Sequence, residues 1–119
     1  MSGKPTIFID IDGTLLNHLG SLTNIIKGHD KQKLLKGAIE KLNEWEQKGY
    51  NIILTTGRKK SLKGLTKQQL LKHGIFYDQL IMGLGGGARY IINDKKPDGK
   101  SSCFAINIER NKGLNDVNI

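Results

Sequence analysis

Residues 6–14 read Thr-Ile-Phe-Ile-Asp-Ile-Asp-Gly-Thr, so an apolar run ends in two carboxylates and a glycine. Side chains two residues apart on a strand point to the same face, and Asp10 and Asp12 are therefore expected to face one site. Neighbouring carboxylates repel each other unless a cation or a proton lies between them. The pair favours a hard divalent cation such as Mg2+, which binds oxygen ligands and often bridges to a substrate phosphate. One carboxylate is then available to attack.

A second segment, residues 52–58, reads Ile-Ile-Leu-Thr-Thr-Gly-Arg, which predicts a buried strand that ends in polar residues. The Thr56 hydroxyl and the Gly57 backbone N–H could both donate to one phosphate oxygen, since glycine permits close approach of the backbone. A helix that starts nearby would add the positive end of its dipole. Taken alone, each of these two segments is also compatible with an ordinary turn.

A third apolar run also ends in an acid, because residues 90–94 read Tyr-Ile-Ile-Asn-Asp. In parallel α/β sheets, ligands bind outside the carboxyl ends of the strands, and all three segments place polar residues there. Asp94 would complete an oxygen site for Mg2+ together with Asp10 and Asp12. The coincidence of three strand ends favours a catalytic site over three unrelated turns.

The remaining sequence alternates strands with helices, which predicts a parallel sheet. The predicted strands are residues 6–11, 50–55, 79–82, 90–93 and 103–108, and the predicted helices are residues 36–48 and 65–73. Residues 17–33 are polar and predict a loop or flap with at most a weak turn of helix. We predict one domain over residues 1–119, with Trp45 in the core and Cys103 in the core or on a strand.

The chain has 119 residues and a formal net charge of +8, and lysine accounts for all but three of its 19 basic residues. The residue that makes bidentate contacts to phosphates and bases is usually arginine, which is scarce here. The positive charge therefore indicates either a general electrostatic attraction for anions or a solvated, lysine-rich surface. No apolar run approaches the ~18–20 residues that span a bilayer, and we expect no membrane partner. The single cysteine and the lack of a signal-peptide pattern are typical of a cytoplasmic protein.

Residues 10–14, 55–58 and 93–94 are similar to motifs I, II and IV of the haloacid dehalogenase (HAD) superfamily, in the family's order. More narrowly, the chain resembles small capless phosphatases associated with bacterial and phage polysaccharide pathways. The resemblance implies an α/β, Rossmann-like three-layer sandwich with a central parallel sheet and no cap domain. It also implies Mg2+ dependence and an aspartyl-phosphate intermediate.

Carried onto this chain, the resemblance implies that Asp10 is the nucleophile and Asp12 the general acid and base. The backbone carbonyl of Asp12 and the side chain of Asp94 would bind Mg2+, and Thr56 would bind the transferring phosphoryl group. The family's motif III is a lysine or arginine that pairs with the nucleophile and the phosphate, but residues 83–88 contain no cation. We favour Arg89 or Lys96 as the substitute. The short spacing between motifs leaves no room for a cap, so the open site suits a large substrate or closure by a neighbouring subunit of a homo-oligomer.

Three functions remain open from the sequence. The first is a Mg2+-dependent phosphomonoesterase that acts on a sugar phosphate or a similar small anion. The second is a phosphatase for nucleic-acid ends, which the positive charge favours and the aromatic content of 6% disfavours, because single strands are usually bound by stacking as well as charge. The third is a non-catalytic binding or assembly protein on a HAD-like scaffold, which the missing motif III lysine favours.

Overall fold

The computed structural model describes residues 3–119, apart from the side chains of Leu22 and His29. In chain order its elements are β1 (Thr6–Asp10), α1 (Leu22–Gly28), a 3-10 turn (His29–Lys31), α2 (Ala38–Gln47), β2 (Asn51–Thr55), a second 3-10 turn (Lys60–Leu62), α3 (Lys63–Lys72) and β3 (Gln79–Ile81). The first three predicted strands and both predicted helices are confirmed to within two residues at each boundary.

The three strands form one parallel sheet in the order β1-β2-β3. Asp10 at the end of β1 pairs with Thr55 at the end of β2, and Thr55 pairs with Ile81 at the end of β3. The carboxyl ends of the strands therefore meet at one edge, which we call the carboxyl edge. This arrangement confirms the predicted α/β fold of HAD type without a cap.

The core explains why these segments fold as they do. The three central residues of β2 are buried, as expected for a strand covered on both faces. Helix α2 buries its apolar face, and the Trp45 side chain is only 1% exposed, which confirms its predicted core position. Gly49 follows α2 with a positive φ of 80°, a conformation that favours glycine after a helix end. The C-terminal segment returns to this core through Leu114 and Val117.

Two predicted strands are wrong. Residues 90–93 and 103–108 form no strand, and residues 90–107, which we call the arm, are exposed throughout. Cys103 is accordingly exposed rather than buried. The physical reason is pairing: a strand exists only against a neighbour, and among the described residues no strand pairs with the outer edge of β1. The chain measures 50 Å along its longest axis and 29 and 25 Å across.

The segment predicted as a loop, residues 17–33, is more ordered than expected. It contains α1 and a 3-10 turn, and Ile25 anchors α1 because its side chain is only 4% exposed. None of the helices in the described part of the chain is long and apolar enough to cross a bilayer.

Candidate active site

Asp10 and Asp12 lie where β1 ends and the chain turns. The turn is tight because the Gly13 N–H donates to the Leu16 carbonyl at 2.7 Å, and the N–H groups of Leu15 and Leu16 donate to the Ile11 carbonyl. Ile11, Leu15 and Leu16 are completely buried and anchor the loop in the core. Gly13 has a φ of 92°, a backbone conformation that residues with a Cβ atom rarely adopt. The structure thus brings both predicted acids to the carboxyl edge.

Asp12 is held by Arg58, a residue that follows β2. Arg58 Nε donates to Asp12 Oδ2 at 2.9 Å and Arg58 Nη2 donates to Oδ1 at 2.8 Å, a bidentate ion pair. The Arg58 side chain is 1% exposed and the Asp12 side chain is 10% exposed. A charge-assisted, bidentate pair of this kind fixes the orientation of the carboxylate.

Three polar side chains from distant segments complete this buried network, which we call the Arg58 cluster. Arg58 Nη1 donates to Thr66 Oγ1 at 3.0 Å and to Gln69 Oε1 at 2.6 Å, both on α3. Gln32 Nε2 donates to Asp12 Oδ1 at 2.9 Å, and Gln32 Oε1 accepts from Arg58 Nη2 at 3.1 Å. These roles are not predictable from the sequence, because a glutamine on a polar helix or loop carries no local sign that it is buried.

Asp10 lies in a different environment. It lines a shallow pocket of about 150 Å³ whose other lining residues are Asp12, Gly13, Thr14, Ile108 and Arg110. Burial of its carboxylate raises the pKa of Asp10 above its ordinary value, and the neighbouring charge of Asp12 adds to this rise. A hydrogen bond from the Ile11 N–H and the charges of Arg89 and His18 act on the pKa in the opposite direction. Asp10 is thus a carboxylate at the mouth of a pocket, within the field of cations.

Each of the three arginines either acts on one of the two acids or lines their pocket. Arg58 binds Asp12, the charge of Arg89 acts on Asp10, and Arg110 lines the pocket beside Gly13. The segment that carries Arg110 is tied to the motif I loop because the Asn111 N–H donates to the Gly13 carbonyl at 2.9 Å. Arg110 is not among the predicted site residues, although the scarcity of arginine, three of 19 basic residues, is a signal that could have found it.

Thr56 and Gly57 are at the carboxyl edge but do not line the pocket beside Asp10. Thr56 is 1% exposed, and its Oγ1 accepts the Arg58 N–H at 3.1 Å. Gly57 is covered by the glycine-rich segment, since a Cβ at Gly57 would lie 2.5 Å from the Gly85 carbonyl oxygen. Their predicted role as phosphate ligands stays a prediction.

The predicted metal site is not assembled in the single chain. Asp94 and Lys96 lie on the exposed arm, where the Ser102 hydroxyl donates to the Asp94 carbonyl and the Lys96 N–H donates to the Lys100 carbonyl. No group of three acids, histidines or cysteines that could hold a metal ion occurs within residues 3–119 as described. Asp94 is not brought together with Asp10 and Asp12 in this structure, and the predicted roles of these three acids as Mg2+ ligands stay predictions.

The raised pKa of Asp10 predicts how the stability of the folded chain changes with pH. The folded chain binds the Asp10 proton at a higher pH than the unfolded chain does, so wild type should gain stability relative to Asp10→Asn as the pH falls through the folded-state value. At neutral pH the variant should be at least as stable as wild type. Denaturant midpoints of both proteins between neutral pH and about pH 4 would measure this. If wild type instead lost stability relative to Asp10→Asn on acidification, the prediction would be contradicted. Asp116→Asn is the control, because Asp116 is exposed and lies outside the pocket.

Comparisons with known proteins bear on the fold and the site together. The family model described as PITM 1-3, LNS2 domain, matches residues 7–97. A chain in the structure of a Pnkp1/Rnl/Hen1 complex is 30% identical with a TM-score of 0.59, and it aligns over 76% of this chain and 32% of its own length. A chain in the structure of the Pnkp1/Rnl/Hen1 RNA repair complex is also 30% identical, with a TM-score of 0.56, and it aligns over 80% of this chain and 29% of its own length.

This chain thus spans less than a third of the length of either chain from the Pnkp1/Rnl/Hen1 structures. A target protein from Vibrio cholerae is 21% identical with a TM-score of 0.53, over 75% of this chain and 79% of its own, and it shows a shared fold alone. The comparison with curated proteins gives no significant match. The narrower resemblance to phosphatases of polysaccharide pathways stays a prediction.

The match to the family model includes the loop of Asp10 and Asp12, the strand that leads to Arg58, and most of the described sheet and helices. It covers far more than half of the chain. The chain therefore belongs to the LNS2 domain family, whose fold is that of the HAD-like phosphatases.

Proposed function

We propose that this chain is a phosphomonoesterase in which Asp10 is the nucleophile and Asp12 is the general acid and base. The observation that carries the proposal is the unequal environment of the two acids. Both acids line the pocket that also holds Arg110, but Asp12 is nearly buried and fixed by its ion pair with Arg58, whereas the carboxylate of Asp10 is hydrogen-bonded to the Ile11 N–H. Pairs of acids in contrasting environments are suited to different roles in one reaction.

The proposed reaction has two steps. The Asp10 carboxylate attacks the phosphorus, the bond from phosphorus to the ester oxygen breaks, and the departing oxygen takes a proton from Asp12. Water then attacks the phosphorus of the aspartyl phosphate and gives its proton to Asp12. The bond between phosphorus and the Asp10 oxygen breaks, which releases inorganic phosphate and restores both acids. Splitting the hydrolysis in this way replaces one difficult step by two easier ones.

The contacts of Asp12 are compatible with its proposed role. A carboxylate offers about four acceptor positions, and Arg58 and Gln32 fill three of those of Asp12 in the described structure. The remaining position can carry the proton, while the Arg58 cluster keeps the group from rotating. Arg110 and Arg89 supply positive charge for the phosphate, and we propose them in place of the missing motif III lysine. Lys96 lies on the arm and stays a prediction.

A second candidate substrate is the phosphorylated end of a polynucleotide. The observation in its favour is the 30% identity to chains from Pnkp1/Rnl/Hen1 structures, one of which is described as an RNA repair complex. The net charge of +8 and the absence of a cap also allow a long anionic substrate to reach the pocket. The small ester is the first candidate because an aromatic content of 6% leaves few side chains on which the bases of a single strand could stack.

Initial rates on p-nitrophenyl phosphate, a panel of sugar phosphates and an end-phosphorylated oligoribonucleotide test both candidates, each with Mg2+ and with EDTA. We expect turnover that needs Mg2+, is lost in Asp10→Asn and is retained in the matched control Asp116→Asn. Faster release from the oligoribonucleotide than from every small ester would favour the polynucleotide. Turnover unchanged by Asp10→Asn, or no turnover of any substrate, would overturn the proposal and favour a non-catalytic scaffold.

A further inference from the structure

We propose that Asn111 is a positioning residue for the phosphate: it fastens the turn that carries Arg110 to the motif I loop, and so holds the Arg110 guanidinium at the pocket of Asp10. Asn111 acts through Arg110 and does not itself contact the phosphate. The inference rests on the proposed function, in which Arg110 is one of two cations offered to the phosphate, and it assigns the binding of phosphate to Arg110 in particular.

The backbone of Asn111 is in a conformation that most residues avoid. Residues 109–112 form a tight turn, in which the Lys112 N–H donates to the Glu109 carbonyl at 3.3 Å. Asn111 has a φ of 64° and is the one residue other than glycine with a positive φ in the described part of the chain. Turns with a positive φ at their third residue favour glycine or asparagine there. Glycine would adopt this conformation more easily, so the side-chain contacts decide what asparagine adds.

The side chain of Asn111 pairs with the backbone of His18, which lies 93 positions earlier in the chain. Asn111 Oδ1 accepts the His18 N–H at 2.6 Å, and Asn111 Nδ2 donates to the His18 carbonyl at 3.4 Å. The backbone N–H of Asn111 donates in addition to the Gly13 carbonyl at 2.9 Å. One residue therefore joins the C-terminal turn to two points of the loop that follows β1, and we call these three hydrogen bonds the Asn111 clamp.

The Asn111 clamp determines where the neighbouring Arg110 side chain lies. A Cβ at Gly13 would be 3.2 Å from Arg110 Cγ and 3.6 Å from His18 Cβ, so these two side chains flank the glycine. The lack of a side chain at Gly13 thus leaves room for the aliphatic part of Arg110. Arg110 lines the pocket from this position, beside both acids. Packing of the stem and anchoring of the turn together restrict the rotamers of an otherwise exposed arginine.

The pocket also requires a cation of this kind. Both Asp10 and Asp12 line it, and a phosphate that approaches Asp10 is repelled by the carboxylate unless a positive charge lies nearby. Arg58 is already paired with Asp12. Arg110 is the one basic residue among those that line the pocket in the described structure. A guanidinium presents its donors in a fork that matches two phosphate oxygens.

Arg89 is the alternative cation, and its hydrogen bonds distinguish it from Arg110. The Arg89 guanidinium donates to the carbonyls of Gly85 and Gly87 in its own segment. The Arg110 guanidinium makes no hydrogen bond or ion pair with any residue in the described range 3–119. Its donors are therefore available to a ligand without breaking a bond, and restricting the side chain beforehand lowers the entropy lost on binding.

The first test measures the binding of inorganic phosphate, which needs no turnover. NMR chemical-shift titrations in the presence of Mg2+ would give the affinity of wild type, Arg110→Met and Asn111→Gly. Arg110→Met should weaken binding by at least about 10-fold, the usual value of a charge-assisted hydrogen bond. Asn111→Gly should weaken it by about 3–10-fold, the cost of ordering one long side chain on binding. Glycine adopts a φ of 64° readily, so this variant keeps the turn and loses only the side-chain bonds.

A double variant shows whether Asn111 acts through Arg110. In the Arg110→Met background, Asn111→Gly should leave the phosphate affinity unchanged, because the side chain that it positions is already gone. The same loss in both backgrounds would mean a merely structural role and would overturn the proposal. Asn118→Gly is the matched control, since Asn118 also lies in the C-terminal segment and accepts a hydrogen bond from Lys41 Nζ at 3.2 Å, outside the pocket. It should bind phosphate as wild type does.

The binding experiment and the turnover assay fail separately. A wild type that binds phosphate with the expected pattern of variants, and hydrolyses no ester, would overturn the phosphomonoesterase and leave the assignment of Asn111 standing. An active wild type whose phosphate affinity is unchanged by Asn111→Gly would overturn the assignment and leave the phosphomonoesterase standing. A wild type that binds no phosphate would also overturn the assignment.

Discussion

Asp10→Asn is expected to abolish turnover of every phosphate ester, whereas Asp12→Asn is expected to lower turnover by about 10²–10⁴-fold, the usual share of general acid and base catalysis. The difference follows from the proposed roles. An amide at position 10 cannot form the aspartyl phosphate, so no alternative first step remains. An amide at position 12 keeps the size of the side chain and part of its hydrogen bonding to Arg58, and it loses the ability to move a proton.

The losses of turnover in Asp10→Asn and Asp12→Asn should depend differently on the leaving group of the substrate. p-Nitrophenolate departs with little need for a proton, so the loss in Asp12→Asn should be smaller on p-nitrophenyl phosphate than on a sugar phosphate. The loss in Asp10→Asn should be complete on both. Single-turnover rates on the two substrates for both variants, with Asp116→Asn as the matched control, measure the contrast. Equal losses in Asp12→Asn on the good and the poor leaving group would show that Asp12 does not transfer the proton.

Arg58→Met is expected to lower the free energy of unfolding by about 3–5 kcal/mol, the usual cost of removing one partner from a buried ion pair. The side chain of Arg58 is 1% exposed, and its loss leaves Asp12, Thr66 and Gln69 without their shared donor. Methionine keeps much of the volume of arginine, so most of the loss should come from the uncompensated carboxylate and not from a cavity. Urea unfolding at neutral pH measures the difference.

A double variant checks this explanation. Asp12→Asn in the Arg58→Met background removes the uncompensated charge, so it should regain part of the stability that Arg58→Met loses. Arg89→Met is the control, because Arg89 is exposed and its removal should change the free energy of unfolding little. A loss below about 1 kcal/mol for Arg58→Met would show that the pair contributes no more than a surface ion pair does.

The sequence by itself determined the part of the fold that depends on local patterns. Local patterns indicate which face of an element is buried. Examples are the apolar runs that end at Asp10 and Thr55 and the helical spacing of apolar residues within 36–48. From these patterns followed the parallel sheet, the α/β class and the meeting of Asp10 and Asp12 at the carboxyl edge. Strand polarity was enough because parallel strands end at the same edge of a sheet.

The tertiary structure alone decided which distant groups meet. Nothing local shows that Gln32 and Gln69 converge on Arg58, that Arg110 returns from the C-terminal segment to the pocket, or that Asp94 stays away from Asp10. The strand pattern of residues 90–93 is real as a pattern, but in this structure these residues pair with no other strand. The physical reason is that periodicity encodes burial along one element, whereas pairing and side-chain contact depend on how far the chain between two elements allows them to approach.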